Sequence, residues 1–485
     1  MLVMPGLTVR GGVVLKVVGG IWIFGIVCGL SVASVVPIDD AHAAAKLTTV
    51  YSFEGQSDGE FPEAGLTDDG SGTLYSTTFG ELGGGEVPGK KCAKSCGNVY
   101  DFAHGGLNSL YHFTNSAGSG SFPTGELAIQ KDMIHDTTEI YGTTEYGAGT
   151  ACGGLGCGTA FSLTSTSEGK KFFQFCGTDF PDCKSGALPR SGPIVDSAGN
   201  MYGTTTLGGT SSGNLCDNNF RGCGVIYMLT PQSGTFAETP LYNFCSLAQC
   251  ADGAVPYGRL LMDSSGNLFG TTEFGGTYSE GTIFELQFSN GTYAQQVQVL
   301  YSFCEMTNCS DGSLPEAGLF EDSNGNLYGT TTYGGKTSCD DGSGCGVVFK
   351  LAPPPQGQTK WTETVLHRFK GRPDGAFPQA PVLTDSAGNL YGTTLRGGRA
   401  NDTHCTDSFG CGTVFSISPG GSEKVLHSFG KKPGTKDGAH PEGALLLENN
   451  QYLYGVTRLG GRSKCKCGTI FELSLDGPAA TARLR

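Results

Sequence analysis

Asn326-Leu327-Tyr328-Gly329-Thr330-Thr331 is one of seven related phrases whose aromatic anchors fall at Tyr75, Tyr141, Tyr202, Phe269, Tyr328, Tyr391 and Tyr454, 59 to 67 residues apart. Two further markers keep step with it. Phenylalanine recurs at Phe53, Phe113, Phe175, Phe244, Phe303, Phe369 and Phe429, and proline at Pro62, Pro123, Pro189, Pro256, Pro315, Pro378 and Pro441. Three markers repeated seven times in one order describe a repeat architecture, in which each unit buries its apolar face against its neighbours. The first two copies are degenerate: Tyr75-Ser76-Thr77-Thr78 lacks the glycine, and Ile134-His135-Asp136-Thr137-Thr138 departs from the usual turn.

One unit shows the strand logic. Val382-Leu383-Thr384-Asp385 reads as a short apolar strand and Ser386-Ala387-Gly388-Asn389 as a hairpin turn, after which Leu390 to Leu395 forms a second strand. A loop with two cysteines leads to a third strand from Gly412 to Ile417. After Pro419-Gly420-Gly421, Lys424 to Phe429 alternates with period two as a fourth. Four strands joined by tight turns make a meander, and about 60 residues suits one propeller blade with an ornamented loop. First strands such as Leu260-Leu261-Met262 and Leu445-Leu446-Leu447 are continuously apolar, which predicts burial on both faces at the inside of a blade. The expectation is an all-β, seven-bladed β-propeller of four-stranded blades spanning 46–475 as a single domain. The stretch from Leu47 to Phe53 supplies only a fourth strand, and the last unit stops after a third, from Gly468 to Leu473. The N-terminal strand is therefore expected to join the three C-terminal strands and close the ring. A β-solenoid, the alternative, would need capping repeats.

Composition agrees with a turn-rich, ordered β protein: 79 glycines and 10% aromatics, with only 16% charged residues. The net charge of −14 leaves no basic stripe for nucleic acid and disfavours an anionic membrane surface. Residues 1–43 have the character of an export segment. Arg10 and Lys16 precede an apolar run from Val17 to Val36, and Ala41-His42-Ala43 offers small residues for cleavage. The run is long enough to span a bilayer, so a cleaved signal peptide and an N-terminal anchor both stand. A short tail, 476–485, follows the repeats. A secreted, periplasmic or cell-surface location is expected.

Of 19 cysteines, Cys28 lies in the export segment. The other 18 sort into nine close pairs: Cys92/Cys96, Cys152/Cys157, Cys176/Cys183, Cys216/Cys223, Cys245/Cys250, Cys304/Cys309, Cys339/Cys345, Cys405/Cys411 and Cys465/Cys467. An even, locally paired set behind an export segment reads as disulfides. Zinc, the alternative, lacks a histidine recurring beside the pairs. The loop from Gly275 to Gly281 lacks both cysteines that most sister loops carry, and cysteines that vanish as pairs are bonded to each other. Whether Cys465 and Cys467 pair, with one residue between them, stays open. Each bridge is expected to pin its own loop rather than to hold the fold together.

The phrases Asp374-Gly375-Ala376-Phe377-Pro378, Asp385-Ser386-Ala387-Gly388-Asn389-Leu390-Tyr391-Gly392-Thr393-Thr394 and Gly412-Thr413-Val414-Phe415 resemble the GloVer-type tandem repeat of bacterial exported "choice-of-anchor" proteins. A looser similarity runs to NHL-type propeller repeats. The resemblance implies a bacterial, exported, repeat-built protein and brings no catalytic residues with it.

Candidate chemistry is sparse. Asp58, Asp252, Asp311, Asp374 and Asp437 each precede a glycine four residues before the marker proline, with Ser119 and Ser185 in the same slot elsewhere. Asp and Ser share the ability to bond their own backbone, so these are turn formers, with calcium the alternative. Asp69, Asp196, Asp263, Asp322 and Asp385 begin the hairpin turns. Asp322-Ser323-Asn324-Gly325-Asn326 resembles the start of a calcium loop but lacks its later glutamate. His367 and His427 occupy the slot of Tyr51, Tyr242 and Tyr301, as aromatic stand-ins. His104, His135, His404 and His440 have no evident partners for a catalytic triad. The position that varies while its neighbours stay nearly constant follows the marker proline: Glu63, Thr124, Arg190, Tyr257, Glu316, Gln379 and Glu442. These seven are expected at one mouth of the central channel, where they could hold a polar ligand or a cation. The leading expectation is a non-catalytic binding scaffold for a protein, glycan or small polar ligand. The alternative is a hydrolase- or lactonase-type propeller enzyme with a cation at the mouth.

Overall fold

The Tyr-Gly-Thr-Thr phrase forms the second strand of each blade, and its residue types follow from what that strand must pack against. Leu390–Thr394 is buried at all five positions. A Cβ on Gly392 would lie 2.6 Å from the ring tip of Phe415 on the third strand, and Gly270, Gly329 and Gly455 stand in the same relation to Phe284, Phe349 and Phe471. The glycine makes room for an aromatic ring. The last threonine pairs across to the third strand, as Thr394 Oγ1 with Thr413 Oγ1 at 2.8 Å, satisfying hydroxyls that burial would otherwise strand.

The computed structural model describes residues 13–18, 21–26 and 45–475, the last range less 56, 81–95, 115–117, 133–136, 148, 150, 167–169, 178–179, 181, 211–215, 217–221, 336–338, 340–341, 400–404, 406–408 and 431–435. Seven antiparallel sheets, six of them meanders in sequence order, make the chain a seven-bladed β-propeller. The fourth blade departs slightly, because Ala254–Pro256 and Leu261–Met262 both pair with Leu268–Phe274. The seventh sheet runs Leu446–Glu448, Tyr452–Thr457, Thr469–Ser474 and then Lys46–Ser52, with Leu47 opposite Leu473. Residues 1–42 form a unit of their own, in which Val13–Val18 pairs antiparallel with Ile21–Ile26. Among the described residues no helix is long and apolar enough to cross a membrane.

The marker phenylalanines join neighbouring blades. Phe303, at the end of the fourth blade, meets Phe349 of the fifth at 5.2 Å, and Phe369 and Phe429 meet Phe415 and Phe471 in the same way. Phe53 of the seventh blade meets Tyr100 of the first at 5.5 Å. The inner strands are less enclosed than their apolar sequence suggests. Leu260 and Leu445 are buried, but Leu261, Met262, Leu446 and Leu447 are only half-buried, because these strands border the central channel.

Both sets of aspartates are turn formers. Asp196, Asp322 and Asp385 accept two backbone N–H groups, an asparagine amide and a tyrosine hydroxyl, and these donors hold their carboxyls below the usual range. In the other set, Asp252 and Asp311 accept the Tyr242 and Tyr301 hydroxyls at 2.7 Å, and Asp58 accepts that of Tyr51 at 3.0 Å. His367 and His427 reach Asp374 and Asp437 at 3.1 and 3.2 Å, filling the tyrosine slot with a ring nitrogen. Ser185 does the same turn-bracing work on the Cys176 N–H.

Candidate functional site

The second and third strands of every blade meet, and the fourth leads into the next blade, on one face of the ring. On that face the residue before each marker proline adopts left-handed φ: Phe61, Phe122, Leu188, Val255, Leu314, Phe377 and His440, between 54° and 59°. Non-glycine residues pay for this conformation, β-branched Val255 most of all, so something outside the turn must hold it. An interblade hydrogen bond does. The N–H of Leu188 donates to Cys157 O at 2.9 Å, Val255 to Cys223, Phe377 to Cys345 and His440 to Cys411. Phe61 and Phe122 donate in the same way to Cys467 and Cys96. In the fourth blade, which lacks the pair, Glu280 O takes the bond from Leu314.

Disulfides therefore do more than pin their own loops. In six of the seven units a cysteine of the loop between the second and third strands supplies the carbonyl onto which the next blade hooks, whereas Cys176–Cys183, Cys245–Cys250 and Cys304–Cys309 close the turn that follows a fourth strand. The bridges Cys152–Cys157, Cys176–Cys183, Cys216–Cys223, Cys245–Cys250, Cys304–Cys309, Cys339–Cys345 and Cys405–Cys411 are formed, and so is Cys465–Cys467. Cys96 is also bridged, and Cys92 lies outside the described residues, as do His135 and His404. His104 sits exposed in a hairpin turn with φ 52°, away from the channel.

The hooked turn delivers the next side chain inward. Glu63, Thr124, Arg190, Tyr257, Glu316, Gln379 and Glu442 all line one cavity of about 710 Å³ at this face. Sequence reasoning missed its other charged members. Glu145 and Arg458 each follow the repeated threonine phrase, where Phe79, Thr206, Glu273, Thr332 and Leu395 stand elsewhere. Glu126 and Arg259 lie three residues after a marker proline, a place otherwise held by Gly, Ala or Pro. The usable signal was a charge appearing at a position that most sister units keep small or uncharged.

These groups form three clusters. Arg458 Nε lies 2.9 Å from Glu63, an ion pair out of line for a hydrogen bond, and its Nη1 reaches Glu442 at 3.4 Å. Arg190 pairs with Glu145 at 2.8 Å and donates to the Tyr257 hydroxyl at 3.2 Å. Glu316 accepts from Thr332 and Gln379, each at 2.9 Å. Below them Arg259 crosses from the fourth blade to bond Glu126 of the second at 2.9 Å and Pro193 O of the third at 3.0 Å.

Burial and neighbouring carboxylates make this ring reluctant to ionise fully. Glu63 is pushed up to about 8, first by burial and next by Glu442, against the pull of Arg458. Burial likewise raises Glu145, Glu316 and Glu442. Glu273, next in the threonine-phrase series, rises to about 7 through burial and the charge of Glu316.

The inner strands approach closely beneath the ring. A Cβ on Gly125 would lie 1.8 Å from Gly192 N, and one on Gly192 would lie 1.7 Å from Glu126 O. Gly192→Ala is expected to force the second and third blades apart, at a cost of about 3 kcal/mol or more. Guanidinium unfolding checks it; a change below about 0.5 kcal/mol would mean the two strands have room to spare.

The model of the Gloeobacter/Verrucomicrobia repeat matches residues 140–342 and 337–484. The chain belongs to the Gloeobacter/Verrucomicrobia repeat family. No curated protein matches it. Among solved structures, this family member is similar to a luciferin-regenerating enzyme at 13% identity, covering 75% of this chain and 95% of that one with a TM-score of 0.40. The β-propeller domain of Cps50 (Swd1) from Myceliophteria thermophila gives 9% identity, 88% and 99% coverage and a TM-score of 0.46. A fungal alcohol oxidase of the AA5 family, in complex with copper, gives 11% identity, 90% and 77% coverage and a TM-score of 0.48.

Proposed function

We propose that this protein is an exported binding module that takes a small, polar, positively charged ligand in the cavity at the ring's face. One observation carries the reading: seven blades each send the variable residue after their proline into a single cavity, where the acidic side chains outnumber the basic ones. Concave sites with a few convergent polar groups on a rigid frame are where small ligands bind. Burial pushes the Glu63 carboxyl up to about 8, so an ammonium or guanidinium group beside it can displace its proton and supply the missing charge. The disulfides fit an oxidising compartment, in keeping with export through residues 1–43.

The test is a thermal-shift panel of alkyl diamines, guanidinium compounds, amino sugars and their neutral counterparts. Cationic members should raise Tm of the native chain and leave the Glu63→Gln/Glu442→Gln double variant unmoved. Equal shifts from the neutral counterparts, or none from any compound, would reject the reading.

A second reading, a hydrolase, has Glu63 in its favour, since a carboxyl pushed up to about 8 beside an arginine can serve as a general acid. Turnover of an ester, lactone or glycoside that Glu63→Gln abolishes would decide for it.

A further inference from the structure

We propose that His367, Asp374 and Glu423 form a binding site for a divalent transition-metal ion of the zinc class, in the seam between the fifth and sixth blades. His367 comes from the outer strand Thr362–Arg368 of the fifth blade and Asp374 from the turn after it, while Glu423 opens the outer strand Glu423–Ser428 of the sixth. One ligand atom from each lies within 4.8 Å of the other two. His367 Nε2 and Asp374 Oδ2 are 3.1 Å apart, close to the spacing of two donors that each sit about 2.0–2.1 Å from a shared zinc. Glu423 Oε1 is buried and has no hydrogen-bond partner. The charges that act on this carboxyl are Asp374, which repels it, and His367 and Lys370, which attract it. A metal ion between the imidazole and the two carboxylates gives Glu423 Oε1 its partner. One nitrogen and two oxygens suit zinc or cobalt better than calcium, which takes oxygen alone.

Two sister seams separate this site from a merely structural role. In the seam before it, Tyr301 and Asp311 hold the places of His367 and Asp374, and Glu363 lies in the register of Glu423. There the tyrosine hydroxyl donates to Asp311 at 2.7 Å, and both Glu363 oxygens are buried without a hydrogen-bond partner. In the seam after it, His427 and Asp437 are present, but the register of Glu423 falls to Leu47, opposite Leu473. Among these three, only the seam between the fifth and sixth blades combines imidazole with both carboxylates.

The experiment uses the disulfide-intact chain, stripped with a chelator and titrated near neutral pH with Zn²⁺, Co²⁺ and Ca²⁺. Calorimetry should show one zinc ion per chain, and cobalt should develop the visible bands of a low-coordinate nitrogen–oxygen site. His367→Tyr installs the residue that the preceding seam already uses, so it should keep the metal-free Tm while weakening zinc by roughly 10–100-fold or more. Glu423→Gln should weaken it as well, and His427→Tyr should change nothing. Zinc binding unaltered by His367→Tyr, loss that His427→Tyr reproduces, a preference for calcium, or no zinc bound would each overturn the proposal.

Discussion

Phe303→Ala should destabilise the propeller by about 3–5 kcal/mol, as truncation of a fully buried phenylalanine generally does. Phe303 has no exposed surface, and its ring lies 5.2 Å from both Tyr301 and Phe349. Removing it opens a void between the fourth and fifth blades, and neither sheet can close in, because each is held in place by its other neighbour. The midpoint of guanidinium unfolding measures the loss. Phe429→Ala, which removes the equivalent ring against Phe471 at 5.3 Å, should cost a similar amount. A loss under about 1 kcal/mol for either would show that the recurring phenylalanine is not what binds blade to blade.

Glu63→Gln should stabilise the protein in a pH-dependent way. The folded carboxyl is pushed up to about 8, mainly by burial and then by Glu442, whereas in the unfolded chain it titrates near ~4.3. The folded state thus binds the extra proton between those values, and native stability falls as pH rises from the unfolded to the folded pKa, then levels off. For one proton the slope is at most about 1.4 kcal/mol per pH unit, or up to about 4 kcal/mol between about pH 5 and pH 8. The glutamine variant carries no such charge. Its advantage over the native chain should be small near about pH 5 and widen toward about pH 8. Melting curves across that range check it, and a constant difference would mean that Arg458 alone sets the ionisation of Glu63.

Much of the fold was legible because repetition multiplies a weak signal. Any one Tyr-Gly-Thr-Thr phrase could be a strand or a turn; seven, in step with a phenylalanine and a proline, leave a meander as the consistent reading. The ring after the prolines was legible for the same reason, since Glu63 to Glu442 vary in size and charge between an invariant proline and a run of mostly small residues. The half-buried inner strands were misjudged, because an apolar strand beside a channel reads the same as one enclosed on both sides. The disulfides were identified as bonds, but their use as hooks was not visible. The acceptor is a backbone carbonyl, and sequence carries no mark of which loop faces the next blade.

By itself, then, the sequence determined the number of units, their strand order, the partners of the cysteines that vanish together, and which residues begin each inner strand. Those are properties of local periodicity and turn chemistry, which every copy restates. Tertiary structure alone decided which charges meet. Arg458 joins Glu63 from the opposite end of the chain, Arg259 crosses to Glu126, and Glu423 reaches His367 of the neighbouring blade. Such pairings depend on the angle and spacing at which blades stack around an axis, and burial, which then sets the protonation of those groups, exists only once the ring has formed.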